Sequence, residues 1–273
     1  MQHAAIESYH KVSGGWPIVR ICILASSSAG NATFVRTNHT RILIDAGLSG
    51  RETFARLEAI GESPESLDAV LLTHEHGDHI CGLLPVLRKS KAAVYLTRLT
   101  APTIEWGKYE PNLQCFQAGQ QFRIGDFQVE SFSIPHDAID PVGFCLTVDG
   151  VRIGLATDLG YMPDSVRMHL RGTDFLMLES NHDLDMLKVG PYPWSVKQRV
   201  MSRHGHLSNG MVSDFILDGL DPCVRSMVLT HLSEHNNHPA IVDMTAAQAL
   251  KRRGSGCSMT VAEPGVQSQV WEF

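Results

Sequence analysis

The stretch Thr73-His74-Glu75-His76-Gly77-Asp78-His79 constrains this chain more than any other. Four potential metal ligands, His74, His76, Asp78 and His79, fall within six residues. Imidazole and carboxylate are preferred ligands of zinc and similar divalent ions. The preceding Leu67–Leu72 reads as a short buried strand, and Ile80–Arg88 reads as a helix. In an extended segment, alternate side chains share a face, so His74 and His76 point the same way. Asp78 and His79 then enter a turn or helix and can face a second ion. One short loop can therefore seed a dinuclear centre. A solvated polar loop ahead of a helix is the competing reading, and it leaves that density of ligands without a use.

The rest of the chain has room for such a site. Its 273 residues allow two domains or one large α/β domain. With 43% hydrophobic and 19% charged residues, the composition is globular and supplies a core. Lys and Arg number 23 against 29 Asp and Glu, a net charge of −6. That excludes a generally basic nucleic-acid coat but leaves room for a local basic groove. No apolar run approaches the ~18–20 residues of a membrane span, so no membrane partner is expected. The first residues lack a basic-then-apolar signal pattern, and the expected location is the cytoplasm. Six cysteines occur without a CxxC pair, which points to reduced, mostly buried thiols.

Along the chain, residues 1–17 read as a loose arm and 18–273 as one domain. Ile18–Ala25, Ala32–Thr37 and Arg41–Asp45 read as a meander of strands, followed by a helix over Gly50–Ile60. Ala92–Leu96 reads as a strand. Phe122–Ile124, Phe127–Ile134, Val142–Val148 and Val151–Ala156 follow as strands, with an Asp149-Gly150 hairpin signal between the last two. Phe175–Leu178 and Ser226–Leu229 read as further strands, and Trp194–Arg203, Asn209–Leu217 and Pro239–Arg252 as helices. Met259–Ala262 and Val266–Trp271 read as a closing hairpin around Glu263-Pro264-Gly265. No linker or low-complexity segment divides the chain. Two packed sheets with helices outside suit this pattern.

More ligand-type residues stand where strands end. His136 follows Phe132-Ser133-Ile134-Pro135, Asp158 follows Gly154–Thr157, His231 follows Val228-Leu229-Thr230, and Asp45 follows Ile42-Leu43-Ile44. Singly, each reads equally well as a capped turn. Together with the histidine loop they are hard to explain by turns alone.

This order of HxHxDH, His, Asp and His, each after an apolar strand, resembles the metallo-β-lactamase-fold hydrolases over nearly the whole chain. The resemblance implies a four-layer αββα sandwich, two mixed sheets flanked by helices, with the site at one edge of both sheets. It implies that His74, His76 and His136 bind one divalent ion and that Asp78, His79 and His231 bind the other, with Asp158 bridging. Asp45 would orient a ligand histidine by hydrogen bond. Zinc or manganese fits this donor set, and iron is compatible. Fold alone does not choose an activity within this superfamily.

Narrower motifs do. Gly205-His206-Leu207-Ser208 precedes His231 by one helix-strand unit, as in ribonuclease Z-like phosphodiesterases. Glu179 resembles the acid those enzymes hold near a catalytic histidine. Ser26–Asn31, Glu179-Ser180-Asn181-His182-Asp183, Gly190-Pro191-Tyr192-Pro193 and Gly205–Asn209 are similar to the YycJ/WalJ family, which is associated with metal-dependent 5′→3′ DNA exonuclease activity. The implied reaction is phosphodiester hydrolysis, with Asp78 at the metals. His206 is the candidate proton donor, and His182 or Glu179 assists. The substrate is DNA or another phosphodiester. Lys188, Lys197, Arg199 and Arg203 cluster near His206 and suit phosphate contacts, while Tyr192 and Trp194 suit base stacking. His235 and His238 read as caps of the helix from Pro239. His3, His10, His39 and His169 read as surface residues. A small-molecule hydrolase of the same fold is the alternative, either a cyclic-nucleotide phosphodiesterase or a lactonase or thioesterase. A metal-bound regulatory protein is the other, which the intact ligand set disfavours.

Overall fold

Strands that are apolar on both faces must be covered on both sides, and the chain meets this requirement with two sheets packed face to face under helices. The computed structural model describes residues 19–273. The arm read over 1–17, with His3 and His10, lies outside the described residues.

The first sheet contains β1 (Arg20–Ala25), β2 (Ala32–Arg36), β3 (Arg41–Ile44), β4 (Ala69–Leu71), β5 (Ala93–Thr97) and β6 (Leu113–Phe116). The second contains β7 (Gln121–Ile124), β8 (Phe127–Ser133), β9 (Val142–Val148), β10 (Val151–Ala156), β11 (Phe175–Glu179), β12 (Ser226–Thr230) and β13 (Ser258–Val261). A last strand, β14 (Val270–Glu272), returns to the first sheet. The spatial orders are β14-β1-β2-β3-β4-β5-β6 and β13-β12-β11-β10-β9-β8-β7. In each sheet one half is antiparallel, while β3 to β6 and β10 to β13 run parallel. Parallel neighbours bring several carboxyl ends to one edge, and there the loops that carry the ligand-type residues meet.

Alternation along the strands sorts the core into layers. Ile21, Ile23, Val35, Phe127, Phe144, Ile153 and Phe175 fill the space between the sheets. Cys22, Leu24, Phe34 and Leu43 face outward under α1 (Gly50–Ala59) and a later helix, Leu83–Ser90. On the other side, Leu176, Leu178 and Leu229 pack under three more helices. These are α4 (Asp164–His169), α7 (Asn209–Asp218) and α8 (Pro239–Arg253), and the two mixed sheets lie between the two helical layers.

Four sequence readings are corrected. The stretch read as the helix Ile80–Arg88 is two helices, α2 (Gly77–Ile80) and α3 (Leu83–Ser90). They break at Gly82, whose N–H bonds the Ala46 carbonyl at 2.8 Å and where a Cβ would lie 1.8 Å from the Leu48 carbonyl oxygen. The closing hairpin does not form, because β13 pairs parallel to β12 and β14 pairs antiparallel to β1 of the opposite sheet. The helix read over Trp194–Arg203 ends at Val200, and the short helix Leu184–Val189 before it was not read at all; these are α6 and α5. Finally, all six cysteines are free, but only Cys22 and Cys145 are buried. No described helix is long and apolar enough to cross a membrane.

Candidate metal centre

The edge formed by the carboxyl ends of β3, β4, β10, β11 and β12 holds the ligand-type residues. Asp45, Asp158 and His231 each leave their strand with φ near +60° (58°, 60° and 57°). Non-glycine residues rarely adopt this conformation, although Asp and His tolerate it better than most. Three such turns at one edge are local strain held in place by the surrounding fold.

His74, His79, His136, Asp158 and His231 are buried. Three side-chain nitrogens converge first: His76 Nδ1 lies 3.1 Å from His74 Nε2 and 3.2 Å from His136 Nε2. A second group converges beside it, with Asp78 Oδ2 3.5 Å from His79 Nε2 and 3.3 Å from His231 Nε2. Asp158 faces both groups. Its Oδ1 is 3.8 Å from His136 Nε2 and 3.4 Å from His231 Nε2, and its Oδ2 is 3.4 Å from His79 Nε2. Asp158 Oδ2 is buried and has no hydrogen-bond partner, a costly state for a carboxylate oxygen. The donor set fits divalent ions. Ligand atoms ~2.0–2.1 Å from one tetrahedral ion lie about 3.3 Å apart, close to the spacings found here.

Three of the candidate ligand histidines, His79, His136 and His231, are fixed by a bond at their other nitrogen, as metal-binding imidazoles usually are. Asp45 Oδ2 is 2.8 Å from His79 Nδ1, and the same carboxylate accepts from the Thr73 backbone and hydroxyl, both at 2.9 Å. His136 Nδ1 donates to the Gly205 carbonyl at 3.2 Å, and Glu179 Oε1 sits 3.0 Å from His231 Nδ1. Glu179 also binds His206 Nδ1 at 2.6 Å through the same oxygen, while its Oε2 accepts the Leu159 and Leu207 N–H groups. One buried carboxylate thus holds a ligand-type histidine and the neighbouring His206.

Charge follows from these contacts. Burial opposes ionisation of Asp78 and Asp158, but His231 and His79 outweigh it and hold both carboxyls well below the usual range. Burial likewise opposes charge on His231, yet Asp158, Asp78 and Glu179 lift it to about 10. Burial and the His79 cation keep His74 well below its ordinary value. Burial pushes Glu179 up, but His206 and His231 bring it to about 2, and Glu179 in turn raises His206. His182 is buried, its Nδ1 has no partner, and burial takes it down to about 4.

The site opens into a cavity of about 310 Å³ lined by His76, Asp78, His136, Asp158, His206 and His231, and by Arg199 and Val196 of α6. The other residues read as substrate contacts lie elsewhere. Lys197 is buried and its ammonium donates to the Lys188 carbonyl at 2.8 Å, which makes it an internal tie between α5 and α6. The Lys188 ammonium is exposed and pairs with Asp185. Tyr192 packs edge-on against His235, Trp194 is 63% exposed, and Arg203 stacks over Tyr161. His238 caps α8 through Ala240 N–H, and His169 stacks on Phe132 and bonds Glu130.

Several contributors escaped the sequence reading. The Asn31 amide lies 3.3 Å from Asp78 Oδ2 and 3.2 Å from His79 Nε2, Asn181 holds the His231 carbonyl, and Ser26 Oγ accepts the His231 N–H. The signal was present in the Ser26–Asn31 and Glu179–Asp183 motifs, but nothing local assigned a role to the amides. Gly205 matters by its lack of a side chain, since a Cβ would lie 2.1 Å from the Val200 carbonyl oxygen. Gly205→Ala should therefore push α6 off the His206 loop and lower stability by about 1–3 kcal/mol. A urea titration checks this, and an unchanged midpoint would contradict it.

Residues 40–232 match the family described as the beta-lactamase superfamily domain, and the chain belongs to that superfamily. It is 36% identical over 239 residues to exodeoxyribonuclease WalJ of Streptococcus pneumoniae serotype 2 (strain D39 / NCTC 7466), covering 86% of this chain and 89% of that one. It is 35% identical over 237 residues to exodeoxyribonuclease YycJ of Bacillus anthracis, covering 86% and 90%. Among solved structures, the metallo-beta-lactamase fold protein YhfI from Bacillus subtilis superposes with a TM-score of 0.74 at 18% identity, covering 95% of this chain and 100% of that one, which shows the shared fold.

Proposed function

We propose that this chain is a metal-dependent phosphodiester hydrolase that degrades DNA from an end, as its likeness to the exodeoxyribonucleases WalJ and YycJ supports, with the 5′→3′ polarity that the motif resemblance implies. The observation that carries this reading is the pair of converging donor groups with Asp158 between them and a Glu179-anchored histidine in the same cleft. His74, His76 and His136 would hold one divalent ion and Asp78, His79 and His231 a second, with Asp158 shared. Zinc or manganese suits these donors, and iron is compatible. Bound there, the ions supply an activated water and neutralise charge developing on the phosphate.

The chain's own residues do the rest. Asp45, Glu179 and the Gly205 carbonyl fix the imidazoles, so little reorganisation accompanies the reaction. His206, whose pKa Glu179 raises against the effect of burial, gives its proton to the leaving oxygen. His182, neutral at ordinary pH and away from the cavity, is not the donor. Of the residues first read as substrate contacts, Arg199 alone lines the cavity and suits a phosphate. Its exposed guanidinium on the cavity wall suits a phosphodiester chain.

The test is a labelled duplex with a 5′ phosphate, incubated with zinc- or manganese-loaded protein. Mononucleotides should appear with time and should vanish on chelation and in Asp78→Ala. Turnover of bis(p-nitrophenyl) phosphate or a lactone without nucleotide release would refute the DNA reading.

A further inference from the structure

We infer that Asp137 and Arg199 form a subsite for the phosphate adjacent to the scissile one, with Asp137 as the positioning residue that aims the arginine. The inference rests on the nuclease reading and deepens it.

Among the described residues lining the cavity, Arg199 is the one lysine or arginine. It stands on α6 (Trp194–Val200), whose Val196 and Val200 line the same wall. That wall is firmly placed. Lys197 ties the helix to the Lys188 carbonyl, and His206 N–H bonds the Val200 carbonyl at 3.0 Å. Asp137 comes directly after His136, and its backbone N–H bonds the His204 carbonyl at 3.0 Å. Its Oδ1 lies 3.4 Å from His136 Nε2, and its Oδ2 accepts from Arg199 Nε. The guanidinium therefore sits one carboxylate outside the converging ligand atoms. Its free edge is thereby offset from the converging atoms by the Asp137 carboxylate, which suits it to the phosphate next to the scissile one.

The donor count agrees. Arginine carries five N–H donors in a planar fork. Asp137 takes the Nε donor, and among the described residues no bond is made by Nη1 or Nη2. The Arg199 side chain is 64% exposed. Held at Nε by Asp137, the fork presents its remaining edge to solvent, the arrangement that suits a phosphate. Lys188, Lys197 and Arg203 are engaged elsewhere, so this subsite has one permanent cation.

The experiment compares a single-stranded oligonucleotide, which offers a phosphate beside the scissile one, with bis(p-nitrophenyl) phosphate, which offers none. Arg199→Ala should lose at least tenfold more kcat/KM on the oligonucleotide than on the small diester, chiefly through KM. The slope of log kcat/KM against log salt should flatten by about 0.7, one phosphate contact on a single strand. Arg199→Lys should recover part of the difference. Asp137→Asn keeps the arginine's charge but loosens its aim, and should raise KM selectively on the oligonucleotide, by less than Arg199→Ala does. Equal losses on both substrates, or no loss, would overturn the subsite. An Asp137→Asn protein with no selective KM change would overturn the positioning role. If wild-type protein cleaves the small diester but not the oligonucleotide, the nuclease reading itself fails. If it cleaves both and the variants show no selectivity, only the subsite fails.

Discussion

Asp158→Ala should abolish measurable hydrolysis, a loss of about a thousandfold or more. The carboxylate faces both donor groups, within 3.4–3.8 Å of His136, His79 and His231. Its removal would take the shared ligand from the two proposed metal sites and the counter-charge from His79 and His231. Metal-derived charge stabilisation is worth several kcal/mol, and each 1.36 kcal/mol is a factor of ten. The φ of +60° at Asp158 complicates alanine, because that conformation costs an alanine roughly 1–2 kcal/mol. Asp158→Asn separates the two effects, since asparagine tolerates this backbone but brings no charge. Asn should fold with near-normal stability, bind metal weakly and remain inactive. Turnover of bis(p-nitrophenyl) phosphate and the metal content of each variant check this. An active Asp158→Asn protein would show that the carboxylate does not bridge.

His206→Ala should keep its metals and lose about 10²- to 10⁴-fold in kcat on DNA, the range for a general acid. His206 bonds Glu179 and no residue of the two converging groups needs it for orientation. In the proposed reaction it protonates an alkoxide, a poor leaving group. A p-nitrophenolate leaves without a proton, so the loss on bis(p-nitrophenyl) phosphate should be much smaller. Glu179→Gln should lower activity on both substrates, because Glu179 also holds His231. The checks are kcat on the two substrates and metal content. Equal loss on both by His206→Ala, with metal lost, would make His206 part of the metal site.

Much of the candidate site was legible because its parts are local or end strands. HxHxDH carries its own geometry, and a polar residue that terminates an apolar strand declares itself. The cleft accordingly gathers His74, His76, Asp78, His79, His136, Asp158 and His231, with Asp45, Glu179 and His206 against them. What was not legible depends on distant partners. Glu263-Pro264-Gly265 signals a turn, but not that the strands beside it join opposite sheets. Lys197 and Arg199 look alike in sequence, yet a short helix wedged between α5 and the His206 loop buries one and exposes the other. Asn31 and Asp137 gain meaning only from chain 47 and 62 residues away.

The most direct test is anomalous diffraction from crystals grown with zinc or manganese, measured at the metal edge. Two peaks should appear in the cleft. One should be ringed by His74, His76 and His136 and the other by Asp78, His79 and His231, with Asp158 in contact with both. A single peak, or peaks that leave Asp158 uncoordinated, would contradict the shared two-ion centre on which this account stands.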